Sequence, residues 1–404
     1  MATDTHSTEA ATNGAGPNGQ HPLHRLTREQ IEELGREFQA IHDEVYADLG
    51  DADATYIRSI VQFHRRLAAL SRIVLMASRY TPAWILGTTG LSAAKIIENM
   101  EIGHNVMHGQ WDWMNDPYIH SSTWDWDTAS PAAAWKHSHN YVHHTYTNVI
   151  GKDKDVGYEI MRVDPQQSWH PVFVLQPLYN ILLAAFFEWG VAFHDLDFEA
   201  IRKGEKSKQQ LRDELRAIGR KARRQIVKDY IAFPALSGRA GFKRTLLANL
   251  SANFVRNLWA YAIIFCGHFP DQAYTFTEEE ASDESKGAWY VRQLIGAVNI
   301  EGGDFFHFMS GNLSFQVEHH LYPDLPSSRY KEIAPRVREI CERYDLPYNT
   351  GRFGKQLGSV QRTIARLAFP GGRRRPKPGP WREPEEVVDE LGAEAADGVL
   401  AAFP

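Results

Sequence analysis

The sequence predicts an all-α protein, an integral membrane bundle of about four spans beneath a helical cap on the cytoplasmic side. Three observations carry that expectation. Where apolar residues are periodic they recur at helical intervals. Several segments are apolar over roughly 20 residues, the length a bilayer requires. Histidines gather in three short clusters beside those segments. The mean hydropathy of −0.42 reads as that of a water-soluble chain, but an average hides segments and the apolar residues here are unevenly spread.

Composition sets the bounds. The 404 residues suffice for one large domain or two ordinary ones, and a net charge of −6 calls for no nucleic acid. Two cysteines, Cys266 and Cys341, are too few for a disulfide scaffold or a thiolate metal site, and they fit a reducing compartment. The unusual entries are 18 His and 11 Trp. The first residues show no charged-then-apolar leader, so no cleaved signal peptide is expected.

Residues 1–20, rich in Ala, Thr, Gly and Asn, read as a disordered tail. Residues 21–66 form an amphipathic helical segment. It opens with Thr27 and Gln30 in capping-box spacing and places Ile31, Leu34, Phe38, Ile41 and Val45 on one face. The main domain is expected over 67–350. Within it, residues 67–100 read as a hairpin of two short helices, interrupted by Arg72, a break at 79–82 and Lys95. Residues 171–193 carry one charge, Glu188, and residues 246–269 carry one, Arg256, so both are candidate spans. The basic stretch 202–224 between them reads as a cytoplasmic loop. Either 171–193 then lies in the membrane interface, or 226–238 makes a third, short crossing. A polar stretch at 275–286 and a helix near 333–344 follow. Residues 351–404 read as a C-terminal extension, disordered after 370.

The histidine clusters are HNVMH (His104, His108), HSHNYVHH (His137, His139, His143, His144) and QVEHH (Gln316, Glu318, His319, His320). Imidazole suits iron, zinc and copper. Residues at i and i+4 share a helix face, so His104/His108 and His139/His143 can each grip one ion. Adjacent His143 and His144 point about 100° apart and would serve different ions. Chance alone gives about 0.8 HxxxH pairs in a chain this rich in histidine, so the count says little. The arrangement says more: one HxxxH runs directly into an HH, and each cluster adjoins an apolar segment. His104, His108, His139, His143, His144, His319 and His320 exceed the three or four ligands of a zinc site and ask for two ions. Carboxylate-bridged iron pairs use paired Glu-x-x-His motifs, whereas this chain has one, Glu101 to His104. A histidine-rich pair of irons beside apolar spans suits oxygen activation.

The strings EIGHNVMHGQWDWM, WKHSHNYVHHTYTNVIGKDKDVGY and GNLSFQVEHHLYPDLPSSRY resemble the histidine boxes of the membrane fatty acid desaturase superfamily, in particular its actinobacterial Δ9 branch, over roughly residues 60–350. The resemblance implies His104 and His108 as box one, His139, His143 and His144 as box two, and His319 and His320 as box three. It implies a further ligand near a membrane helix end, for which His268 is the candidate. Box two departs from the commonest form, with three residues rather than two before its HH pair. Gln316 stands where other members carry a histidine. His307 and Asn312 are candidate supports beside the ligands, as are Asp153 and Asp155, which could also form a solvated turn. His137 reads as structural. Trp111, Trp113, Trp124 and Trp126 form either an aromatic belt or packing within the cap.

The activity so implied uses two iron ions per chain and O2 to desaturate a long-chain acyl-CoA such as stearoyl-CoA, leaving a cis double bond, with Δ9 as the expected position. Alternatives are an acyl-lipid or linoleoyl-type front-end desaturase, or a fatty acyl hydroxylase on the same scaffold. No HPGG-like string and no cysteine set for an iron–sulfur cluster is present, so a separate NAD(P)H-linked reductase or ferredoxin is the expected electron donor. Membrane lipids surround the bundle, and the expected location is the cell membrane with the site facing the cytoplasm. The basic stretch 202–224 reads as a solvated face, or as an attractor of anionic lipid or coenzyme A phosphates. A membrane zinc hydrolase, the rival of a different class, would need neither O2 nor reductant.

Overall fold

Capping and periodicity fix the first helix, Arg28–Ala47. The Thr27 hydroxyl accepts from the Gln30 N–H while the Gln30 side chain accepts from the Thr27 N–H, satisfying two donors that a helix start leaves open. Ile31, Leu34, Phe38, Ile41 and Val45 are all buried. Full burial of a side chain such as Leu34 or Phe38 contributes about 1.5–3 kcal/mol.

The computed structural model describes residues 26–372, so the tails expected at 1–20 and beyond 372 lie outside it. Among the described residues the fold is all-α apart from one short parallel pairing, Asn299–Glu301 with Thr350–Arg352, and an isolated bridge, Val149 to Phe276. Two packed regions share the site between them. The first centres on the 31-residue helix Gly238–His268, which packs against Asp51–Met76, Thr81–Ile97, Gln176–Ala185 and Phe353–Leu367. Ile57, Ile97, Ile263 and Phe265 lie in its core. The second joins Arg28–Ala47, Lys286–Gly296, Gln316–Leu321 and Tyr330–Arg343 around Leu34, Val291, Val317 and Ile333.

Charges tie the first region internally. Asp229, fully buried, accepts from Arg72 and from Lys95 at 2.9 Å each. Arg256 faces Glu188 at 2.6 Å with both side chains buried. Isolated buried charges would be costly, and pairing is what makes these tolerable.

Four features depart from the expectations. The boundary at 66 falls inside one continuous helix, Asp51–Met76, because Ile57 and Val61 keep the buried period while Arg65 and Arg66 face outward. Residues 171–193 are not one straight span. A 3₁₀ turn, Pro171–Leu175, leads into Gln176–Ala185, and Phe187–His194 turns away from that run by 103°. Phe186 leaves the helical region at the break, and Gly190 permits the fold-back, since a Cβ there would lie 2.3 Å from Leu183 Cδ1. No single described helix is long and apolar enough to cross a membrane, although this bent pair passes by length and composition. The helix Gly238–His268 is continuous through 246–268, but its apolar run is broken by buried Asn249, Asn253, Arg256 and Asn257. Finally, Phe353–Leu367, placed by sequence in a C-terminal extension, buries Val360, Ile364 and Leu367 on the first region.

Candidate metal centre

Four segments converge. The helix Thr81–Ile97 continues through a π-helical turn, Glu98–His104, into Asn105–Met107, carrying the first cluster. The second lies on Ala132–Trp135, a π-helical turn Lys136–His143, and His144–Tyr146. The third lies on Gln316–Leu321, and His268 ends the helix Gly238–His268.

Potential ligand atoms of His104, His108, His139 and His319 all lie within 4.8 Å of one another, as do those of His143, His144 and His320. His268 joins the second group, its ring 4.8 Å from that of His143 and 4.9 Å from that of His320. The groups abut through His144, whose ring is 4.7 Å from His108 and 4.8 Å from His319. The grouping departs from the sequence reading at one point, the adjacent pair His143 and His144. His139 and His143 also come together with Asp155 within 4.8 Å, their rings stacked 4.9 Å apart, while adjacent His143 and His144 share the second group.

The outward ring nitrogens are held from behind. His143 Nδ1 lies 3.0 Å from Asp153, and His139 Nδ1 lies 3.2 Å from Asp155. His104 Nδ1 meets the Asn105 side-chain oxygen at 3.1 Å, His319 Nδ1 meets the Tyr330 hydroxyl at 3.3 Å, and His320 Nδ1 meets Gln293 at 3.1 Å. Such partners fix ring orientation and tautomer. On the inner side, eight ring nitrogens on seven histidines are buried without any hydrogen-bond partner: one each on His108, His139, His143, His268, His319 and His320, and both on His144. Each such orphan costs about 1–3 kcal/mol. So many, facing one another, fit a donor set for metal. Protonation agrees. Burial, reinforced by neighbouring imidazoles, pushes His104 down to about 3 and holds His108, His144, His319 and His320 well below the ordinary histidine range. His139 is lowered by burial against the opposing pull of Asp155. Burial would lower His143 too, but Asp153 and Asp155 hold it above its ordinary value. Neutral imidazole is the form that binds metal.

Asp153 and Asp155 thus stand directly behind ring nitrogens, and Asp155 also meets His194 Nε2 at 3.0 Å. Gln316 Nε2 is 3.1 Å from His268 Nε2, and its Oε1 is buried and unpartnered. Gly267 permits this approach, since a Cβ there would lie 2.8 Å from the Gln316 side chain. Asn312 instead donates to Glu101 at 3.2 Å. His307 Nδ1 meets Ser314 at 2.7 Å, and its ring stacks on Phe315. His137 is exposed and stacks on Tyr141. Trp111 and Trp126 are buried, stacked against Tyr56 and packed on Trp135 respectively, so they belong to internal packing. Sequence reasoning missed Asn105, Tyr330, Gln293 and His194. Apart from Asn105, which adjoins His104, these lie at no motif spacing from the ring they hold.

A cavity opens from the cluster. His104, His139, His268 and Gln316 line it, with Tyr158, Phe187, Ala260 and Ile264 among its apolar walls. Arg256, Ala260, Ile264 and His268 recur every fourth residue along one helix face, so the lining follows that helix for about 18 Å.

Comparison with known proteins gives the relatives of the chain. The sequence profile of the fatty acid desaturase family matches residues 79–352. The chain is 51% identical over 348 residues, 85% of its length and 82% of the relative's, to an NADPH-dependent stearoyl-CoA 9-desaturase of Mycobacterium tuberculosis. It is 22% identical over 282 residues, 68% of its length and 77% of the relative's, to an sn-1 linoleoyl-lipid 6-desaturase of Synechocystis. It is 27% identical over 271 residues, 62% of its length and 56% of the relative's, to a Delta(5) fatty acid desaturase A of Dictyostelium discoideum.

Proposed function

Because this chain belongs to the fatty acid desaturase family, we propose that it is an oxidoreductase placing a cis double bond at Δ9 of a long-chain acyl-CoA such as stearoyl-CoA. The observation that carries the reading is the set of convergent, unpartnered ring nitrogens opening onto a mainly apolar cavity. His104, His108, His139 and His319 would hold one iron ion, and His143, His144, His268 and His320 a second. Bound iron supplies the oxidising chemistry that unactivated C–H bonds require. The balance is stearoyl-CoA, O2, two electrons and two protons giving oleoyl-CoA and two waters.

The chain's own residues do the rest. Tyr158, Phe187, Ala260 and Ile264 hold methylenes and exclude water beside the histidines. Asp153, Asp155, Tyr330 and Gln293 keep the rings aimed inward as ligands bind and leave. Electrons come from a separate NAD(P)H-linked reductase or ferredoxin. The enzyme sits in the cell membrane with its histidines toward the cytoplasm. Exposed Leu70, Ile73, Leu178, Ile181, Leu236 and Leu247 support the membrane setting, since large exposed apolar surface marks contact with lipid or a partner.

The test is expression in a host lacking such an enzyme, fed isotopically labelled stearate, with metal analysis of the purified chain. Labelled oleate and about two irons per chain are expected. Labelled hydroxystearate, a Δ6 product with stearate untouched, or stoichiometric zinc with activity surviving iron removal would overturn it.

A further inference from the structure

Desaturation draws protons from solvent, because the acyl chain supplies only half of the hydrogens in the two waters formed. Protons move along positioned side chains and water, not along methylenes, so a cavity filled by an acyl chain needs a separate entry for them. One part of the cavity wall has the required character. Ser138, His194 and Asp195 line the acyl cavity on one face and a second, outer cleft on the other. That cleft opens between the turn Lys136–His143, which contributes His137, Ser138 and Val142, and the helix Lys208–Gln225, which contributes Asp213, Glu214 and Ala217. The two spaces are therefore separated by a single layer of side chains.

A hydrogen-bonded string crosses that layer. The Asp195 carboxylate accepts from Ser138 Oγ at one oxygen and from Ser130 Oγ at the other, both at 2.6 Å. Ser130 lines the cavity, and Ser138 directly precedes His139. Asp195 itself forms no ion pair among the described residues, because the charged groups around it are engaged elsewhere. In the cleft, Lys154 pairs with Asp197 and Lys206 with Glu214, leaving Asp213 and exposed His137. Within the wall, His194 turns Nε2 to Asp155 at 3.0 Å and lies 3.9 Å from Glu159. On the cavity side Arg256 is matched by Glu188. Burial accordingly pushes the Asp195 carboxyl up to about 6, against the hydrogen bonds from both serines. A carboxyl in that range exchanges its proton readily near neutral pH.

We propose that Asp195 admits the protons of the reaction, passing them from the outer cleft through Ser138 into the cavity beside His139. Water in the cleft protonates the carboxylate. The carboxyl then gives that proton to Ser138 Oγ as the Ser138 O–H proton leaves into the cavity, which restores the carboxylate and its hydrogen bond. Two such transfers, with two electrons from the donor and two hydrogens from the acyl chain, turn O2 into two waters. This rests on the desaturase reading and adds to it a proton-delivering group outside the histidine set.

The experiment uses the full chain in membranes with its electron donor and stearoyl-CoA, over about pH 5 to 8. Asp195→Asn keeps the shape of the side chain but carries no acid proton. At wild-type iron content its kcat should fall at least about ten-fold, with KM within about two-fold. In the wild type, kcat should decline as pH rises through about 6, where the carboxyl loses its proton, and this decline should vanish in the variant. Asp195→Glu should recover most of the rate, and acetate entering the open cleft should restore part of it to Asp195→Ala. A readout independent of turnover is infrared difference titration of the purified chain carrying isotope-labelled aspartate. It should show a carboxyl deprotonating near pH 6 that Asp195→Asn lacks. Wild-type kcat with an unchanged pH profile in Asp195→Asn overturns the proposal. So does a loss that neither glutamate nor acetate relieves, because Asp195 is then a structural tie between Ser130 and Ser138. A wild type that makes no unsaturated product from stearoyl-CoA would instead sink the underlying desaturase reading.

Discussion

Asp153 accepts the His143 ring nitrogen and also the N–H groups of Asn148, at 2.7 Å, and Asp155, at 2.9 Å. One carboxylate thus sets both a loop and a ring, and its loss should loosen the metal before it harms the fold. Asp153→Asn is expected to retain iron about 10- to 100-fold less tightly in chelator dialysis followed by elemental analysis; retention equal to wild type would refute the role. His320→Ala should abolish turnover, whereas His137→Ala, which removes an exposed ring stacked on Tyr141, should leave it measurable. The box histidines are legible in sequence because metal binding demands one residue type at short intervals. His268 needed the family resemblance. Gln293 and Tyr330 were not legible at all. Each holds a ring across the fold, 27 and 11 residues away along the chain, and nothing local marks a glutamine or tyrosine for that task.

The π-helical turn Lys136–His143 gives the unusual spacing of the second cluster a physical account. Such a turn absorbs one extra residue within a helix while the flanks keep their orientation. The three residues between His139 and His143, where the family's commonest form has two, are the extra residue it absorbs. Deleting Tyr141, which is 64% exposed, should let the turn relax to α-helix and keep at least about half of the bound iron. Complete loss of iron from a folded deletion variant would show that the π turn itself is required. Elements also depend on contacts that periodicity hides. The helices were legible from their apolar faces and caps, but the 103° bend after Ala185 was not, because no proline marks it and the close approach of Gly190 to the Leu183 side chain exists only once the chain has folded back. Asp229 is similar. It joins Asp51–Met76 to Thr81–Ile97 through Arg72 and Lys95, and Asp229→Ala leaves Arg72 with only the neutral Asn249 at 3.3 Å and Lys95 with only Asp127 at 3.4 Å. A loss of about 3–5 kcal/mol is expected, read as a lower midpoint of thermal unfolding in detergent; an unshifted midpoint would show that Asp127 takes over both partners.

For the whole molecule, the question that hydropathy averaging leaves open is what surrounds the bundle. The mean of −0.42 includes charged stretches such as 202–224 and the polar sequence at 1–20 and after 370, so it says nothing of the surface around the helices. The exposed apolar side chains do. Leu178 is 59% exposed, Ile181 64% and Leu182 52%, and all lie on Gln176–Ala185. Leu247 and Phe254 on Gly238–His268, and Leu70 and Ile73 on Asp51–Met76, continue the band. The inward faces of the same helices carry Asn180, Asn249 and Arg256, all buried. Apolar outside and polar inside is the distribution expected when hydrocarbon is the solvent. It also explains why no single described helix is long and apolar enough to cross a membrane: buried polar groups that bind one another dilute the apolar signal of each segment. The wild-type chain should therefore stay in the membrane pellet after alkaline carbonate washing. Leu178→Glu/Ile181→Glu/Leu182→Glu would place three charges in lipid, each costing about 2.5–3.5 kcal/mol at the bilayer centre, more than the segment's own insertion can offset. That variant should leave the pellet or fail to accumulate, whereas wild-type levels of carbonate-resistant protein would mean that this face does not contact lipid.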